Sequence, residues 1–273
     1  MTLTTFSGTT LSGLYHEEHG PAQGEPVIMS AGLGGSGTYW ASNLAALATR
    51  HRVVLYDHRG TGRSSRTLPA CVTVEDMADD ILMLMDEMRL ARAHVVGHAA
   101  GGIAALALAL KAPERLASIV VVNGWVAPDP HFLRCFEARL ALLRHAGPEA
   151  FLRAQPIFLY PAPWISQNHS TLETELDHQL AAFPGEATME KRIAALATFD
   201  IADRLDQITT PILAYASRDD MLVPFTCTTE GLSRLPDCQV ELAPWGGHGC
   251  NITDPARFTG AVTDFLLRHK IRG

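Results

Sequence analysis

Val95-Val96-Gly97-His98-Ala99-Ala100-Gly101-Gly102 is the stretch on which the reading of this chain turns. A β-branched pair leads into a residue with glycine two places before and two places after it, and a helix-compatible run, Gly102 to Leu110, follows. A strand that bends sharply into a helix brings two backbones together, which small residues at those flanking places allow. The apex residue is then held under strain beside the N–H groups of a helix start, where negative charge is favoured. A nucleophile is expected at such an apex. Ala99 stands there instead, with no atom able to attack a carbonyl.

Outward from this turn, short apolar runs alternate with longer helical stretches. Val27-Ile28-Met29, Val53-Val54-Leu55-Tyr56, His94-Val95-Val96 and Ile119-Val120-Val121-Val122 are continuously apolar, as strands covered on both faces must be. Ile212-Leu213-Ala214-Tyr215 and Val240-Glu241-Leu242 extend the series, and Thr73 to Leu90 has helical spacing. The rhythm predicts an α/β protein with a mostly parallel central sheet flanked by helices. It breaks across 127–200, which is rich in Leu, Ala and Arg, carries Phe132, Phe136, Phe151 and Phe158, and has no strand-like run. That segment reads as an inserted helical cap, with Pro161-Ala162-Pro163 predicting an irregular loop inside it. The expected organisation is a first core part over 1–126, the cap over 127–200 and a second core part over 201–273.

Further pieces follow in a telling order. Ser30-Ala31-Gly32-Leu33-Gly34-Gly35-Ser36 lies just after a strand and lacks the Gly-Lys-Ser/Thr ending of a phosphate loop. Asp57-His58-Arg59-Gly60-Thr61-Gly62-Arg63-Ser64 follows the next strand as a structural turn, with Arg59 and Arg63 as minor candidates for ligand contact. Asp220 stands four residues before Pro224, with Asp219 as the alternative acid, and His248 sits after Trp245-Gly246-Gly247 beyond the last strand. The order of apex, Asp and His resembles that of the α/β-hydrolase superfamily. That resemblance implies His248 as base, Asp220 as its partner, and an oxyanion hole formed by the N–H groups of Leu33 and Ala100, with Ala99 inert at the nucleophile position. Cys250, Ser36 and His98 are poor replacements for the missing nucleophile.

A closer resemblance covers most of the chain, the cap included. Gly32-Leu33-Gly34-Gly35-Ser36-Gly37-Thr38-Tyr39-Trp40, Gly97-His98-Ala99, Val122-Asn123-Gly124-Trp125, Arg134-Cys135-Phe136 and Ala154 to Trp164 carry it, with Gly246 to Pro255. These are similar to the pyrimidine-utilisation protein D family (RutD), described provisionally as carbamate or aminoacrylate hydrolases. In that family alanine also occurs at the apex. The resemblance implies hydrolysis of a small, labile C–N compound without a covalent enzyme intermediate. Two other readings stay open: a serine esterase or amidase with an engineered change to Ala99, and a non-catalytic metabolite-binding protein. Trp125, Tyr160 and Trp164 are the aromatic candidates for lining the pocket.

Composition bounds the rest. The chain has 273 residues, 47% of them hydrophobic, and a net charge of −7, which gives no reason to expect nucleic acid or an anionic membrane as partner. Five scattered cysteines suit reduced thiols, and the N-terminus lacks a signal-peptide pattern, so a cytoplasmic protein is expected. Its most apolar stretch, Gly101 to Leu110, is about half a membrane span. A small-molecule substrate is expected, with no cofactor and no metal; a homodimer is left open.

Overall fold

Leu116–Val122 is buried at every position, and so is Ala93–His98, because each is a central strand covered on both faces. The computed structural model describes residues 4–271. Its strands are β1 (Thr4–Thr9), β2 (Tyr15–Gly20), β3 (Pro26–Ser30), β4 (Arg52–Tyr56), β5 (Ala93–His98), β6 (Leu116–Val122), β7 (Ile212–Ser217) and β8 (Cys238–Ala243). They form one sheet in the order β1-β2-β4-β3-β5-β6-β7-β8. From β4 to β8 every pairing is parallel, whereas β1 and β2 are antiparallel additions at one edge.

The antiparallel pair is absent from the sequence reading. Tyr15–Gly20 reads Tyr-His-Glu-Glu-His-Gly, and only His16 and Gly20 within it are buried, so no apolar run marks it. An antiparallel strand can be solvated on one face and needs no such run.

The helices are α1 (Ala41–Leu47), α2 (Val74–Glu87), α3 (Ala100–Lys111), α4 (Pro130–Leu159), α5 (Ala162–Gln167), α6 (His169–Ala181), α7 (Glu186–Thr198), α8 (Phe225–Leu232), α9 (Cys250–Thr253) and α10 (Pro255–Arg268). Alternate strand residues feed two cores. Ile28, Val54, Val95, Ile119 and Val121 pack with α2 and α3, while Val27, Met29, Val53, Val96 and Val120 pack with Trp40, Phe258 and Phe265 on the other face. α3 is buried from Ala100 to Ala109, which its run of small residues makes possible between sheet and α2. α2 starts at a capping box in which the Thr73 hydroxyl accepts from Asp76 N–H and the Asp76 carboxylate accepts from Thr73 N–H.

Four helices, α4 to α7, lie between β6 and β7. α4 bends at Gly147 (φ 85°, ψ 179°), just before Pro148. The irregular loop predicted at Pro161-Ala162-Pro163 is not there. Pro161 alone caps α5, and Pro163 falls in its first turn, where a missing N–H leaves no helical bond unmade. The two ends of this helical stretch meet where Ile201 N–H donates to the Val126 carbonyl at 2.8 Å. No helix among the described residues is long and apolar enough to cross a membrane.

Candidate active site

The turn from β5 to α3 is built by two glycines. A Cβ on Gly97 would lie 2.4 Å from the Gly101 carbonyl carbon, and one on Gly101 would lie 2.2 Å from the Ser30 carbonyl oxygen. Between them Ala99 takes φ 44° and ψ −106°, a conformation costing on the order of 1–3 kcal/mol for a non-glycine residue. It is held there because its N–H donates to the Val122 carbonyl at 2.8 Å and its own carbonyl accepts from Ile103 N–H at 3.0 Å. Ala99 sits on the wall of a cavity of about 270 Å³ that His248, Leu33, His98 and Trp125 also line.

His248 reaches this cavity from the loop after β8. Its Nδ1–H donates to Asp220 Oδ2 at 2.7 Å, with both side chains almost wholly buried. The other carboxylate oxygen of Asp220 accepts from the backbone N–H groups of Leu222 and Val223 at 2.8 and 2.9 Å. Asp219 does different work. Its Oδ1 accepts from Ser217 Oγ and from Gly247 N–H, bracing the histidine loop against the end of β7. The choice between adjacent aspartates, open in the sequence, is thus a difference of direction: Asp220 points at the imidazole and Asp219 at the loop backbone.

Asn123, at the end of β6 with φ 49°, was not singled out as a site residue. Its Nδ2 donates to the His248 carbonyl at 2.8 Å and its Oδ1 accepts from Ser217 N–H at 3.1 Å, joining two strand ends to the histidine loop. The available signal was a polar residue directly after an all-apolar strand, in Val122-Asn123-Gly124-Trp125.

Among the described residues Leu33 N–H donates to no group, and Ala100, fully buried, is the first residue of α3, whose N-terminus has no side-chain cap. Such N–H groups suit a carboxylate or a developing oxyanion. The loop that carries Leu33 is held from the helices between β6 and β7. Arg192 of α7 donates through Nε to the Leu33 carbonyl at 3.0 Å and through Nη2 to His58 Nδ1 at 2.9 Å. This arginine is fully buried, and burial draws its guanidinium down to about 10. It too was missed, because an arginine beside Glu190 and Lys191 in an Arg-rich segment reads as part of a solvated face.

The remaining candidates separate cleanly. Cys250 is buried outside the cavity, and burial raises its thiol far above the usual range, so no thiolate forms there. Ser36 spends its hydroxyl on Thr38, capping the turn at Gly37–Trp40. Trp125 lines the cavity and packs on Phe132 with ring centroids 4.8 Å apart. Tyr160 and Trp164 do not line it. They pack on each other at 4.5 Å, and the Tyr160 ring is pressed against Gly249 of the histidine loop. Arg59 is committed to Asp80 and Arg63 to Asp57, so neither is free for a ligand. Burial pushes the Asp57 carboxyl up, yet hydrogen bonds from Arg63 and Gly37 outweigh it and hold it below the usual carboxylate value.

A parallel sheet, a strand–turn–helix apex, and an Asp–His pair delivered from the ends of later strands together define an α/β hydrolase architecture. Comparison with known proteins agrees. Residues 25–255 match the family described as alpha/beta hydrolase fold. A protein of Caulobacter sp. strain K31, provisionally named carbamate hydrolase RutD, is 57% identical over 259 residues, covering 94% of this chain and 97% of that one. Its namesake from Pseudomonas syringae pv. syringae strain B728a is 45% identical over 255 residues, covering 93% and 98%. Among solved structures, the enol-lactonase from Burkholderia xenovorans LB400 superposes with a TM-score of 0.85 at 23% identity, covering 96% of this chain and all of that one, a likeness of fold. The chain belongs to the α/β-hydrolase family, and within it to the group of RutD proteins.

Proposed function

We propose that this protein hydrolyses a small, labile C–N compound in pyrimidine breakdown, with water in place of a serine nucleophile. The candidate reactions are 3-aminoacrylate to malonic semialdehyde and ammonia, and carbamate to ammonia and CO2. The observation that supports the reading is the intact Asp220–His248 pair facing the same cavity as Ala99. The base is present where the nucleophile is not.

The chemistry suits that division. Asp220 holds the imidazole with its proton on Nδ1, leaving Nε2 to take a proton from water or return one. Aminoacrylate tautomerises to an imine by moving a proton from nitrogen to the carbon next to the carboxylate. Water then adds across C=N, giving a carbinolamine, and the C–N bond breaks with a proton passed to the departing ammonia. No step needs an acyl-enzyme. General acid–base catalysis by one residue contributes about 10²–10⁴-fold. A hydrolase site lacking a triad member still retains roughly 10³–10⁴-fold over water through binding and its oxyanion hole. For a substrate that already decays in water, those factors suffice.

In this reading residues 127–200 serve as the cap over the cavity, and the five free thiols suit a reducing cytoplasm. A quenched time course tests it, with freshly generated aminoacrylate and with carbamate, comparing the protein, His248→Ala and buffer. Acceleration lost in His248→Ala is expected. No acceleration over buffer by the unaltered protein removes the hydrolase reading and leaves a metabolite-binding protein.

A further inference from the structure

Arg139, in the part of α4 before its bend, is only 2% exposed and lines the same cavity as Ala99 and His248. It is an unusual cation. Its guanidinium makes a single hydrogen bond to the chain among the described residues, from Nη2 to Gln155 Oε1 at 3.1 Å, and its buried Nε has no partner. No Asp or Glu among the described residues pairs with it, and none of the residues lining the cavity is acidic. The rings of Phe151 and Phe158 flank it, 5.0 and 5.7 Å from its Cζ. Burial lowers its pKa to about 10, which still leaves it charged at neutral pH.

A cation taken out of water without a counter-charge is strongly unfavourable. Arg192, the other fully buried arginine, is bonded through Nε and Nη2 to Leu33 and His58, whereas Arg139 is bonded to Gln155 alone among the described residues. Its free donors form a planar fork that matches a carboxylate in two parallel hydrogen bonds. The position matters as much as the charge. Arg139 enters from the helices between β6 and β7, whereas His248 and Ala99 come from the ends of the sheet strands.

We propose that Arg139 is the anchor for the carboxylate of a small organic acid, making this cavity selective for compounds whose negative group is separate from the carbon that reacts at His248. The inference rests on the hydrolase reading above for what happens at the far end, and it deepens that reading by naming the substrate class. A three-carbon enamine or imine acid satisfies it. Gln155 positions the fork, and the flanking phenyl rings keep water from competing for it.

Ligand-observed NMR titration of the full chain at pH 7 tests this with two stable probes, propionate and its neutral isostere propionamide. The unaltered protein is expected to bind propionate at least about tenfold more tightly, the least that a charge-assisted pair in a dry site should give. Arg139→Gln should bring propionate to the propionamide level while leaving propionamide unchanged, and Arg139→Lys should keep part of the preference. Equal binding of the two probes by the unaltered protein overturns the inference, whatever the variants do. Equal weakening of both probes in Arg139→Gln overturns it as well, since that is the mark of a merely structural residue. Arg139-dependent propionate binding without turnover of either aminoacrylate or carbamate would remove the hydrolase reading and leave the anion anchor standing. Turnover with no propionate preference would do the reverse.

Discussion

The Nε2–H of His98 donates to the backbone carbonyl of His248 at 2.9 Å, and the two imidazoles meet edge to face with centroids 4.5 Å apart. A carbonyl can only accept, so the proton of His98 sits on Nε2 and its buried Nδ1 is bare. Burial first, and the neighbouring His248 second, hold His98 well below the usual histidine value, so it stays neutral. Tyr39 stacks on it at 4.8 Å. The residue before the apex therefore fixes the backbone from which His248 projects, a task Asn123 shares at the same carbonyl.

Stability should fall as pH drops below about 6.5, the ordinary histidine value. His58 and His98 are held well below it and His94 down to about 3, in each case chiefly by burial. In that window the unfolded chain binds protons that the folded chain does not, so the stabilisation is full above 6.5 and is lost on acidification. Each such histidine contributes a slope of about 1.4 kcal/mol per pH unit. Denaturant midpoints measured from pH 7 to 5 should show it. His94→Gln should make the slope shallower, and an unchanged slope would refute its neutral burial.

Asp220→Asn should reduce turnover of the labile substrate by about 10²–10⁴-fold, the range of one general acid–base residue, because the amide cannot hold His248 in the same tautomer. Asp219→Asn keeps an oxygen for Gly247 N–H and should cost much less. Steady-state rates of the two variants, side by side, check the assignment. Similar losses would dissolve the distinction between them.

Ala99→Ser places a hydroxyl at the strained apex beside an intact base. Hydrolysis of simple nitrophenyl esters should rise at least about 10²-fold over the unaltered protein, as an activated nucleophile requires. An inert, correctly folded variant would mean that His248 Nε2 does not reach the apex.

Gly101→Ala tests the close approach of helix and strand. Its methyl would land 2.2 Å from the Ser30 carbonyl oxygen, inside rigid backbone. Such overpacking costs about 3 kcal/mol or more. Urea unfolding reads this directly, and a loss under about 1 kcal/mol would show that the turn can relax.

The buried parallel strands were legible because strands covered on both faces carry unbroken β-branched runs, as Val53–Tyr56 and Ile119–Val122 do. Tyr15–Gly20 was not, because an antiparallel strand tolerates Glu and His on its open face. The break at Pro161-Ala162-Pro163 was read as an irregular loop, whereas it is the tight start of α5. Whether a proline pair makes a loop or caps a helix depends on what the flanking helices pack against.

At the site, residue identity was enough to find the strained apex, the glycine-rich loop that shares its cavity, and the order of Asp and His. Those features are local: glycine spacing and chain order are set by backbone sterics within a few residues. Which aspartate meets His248, what holds the Leu33 loop, and why a lone arginine lies in the cavity are questions of direction and burial across long separations. Asp220 and Asp219 are chemically identical side chains, told apart only by the turn that aims one at an imidazole and the other at a backbone N–H. Arg139 and Arg192 read as surface charges until packing removes water from around them. Local chemistry can be written in a few adjacent letters; desolvation is a property of the whole fold.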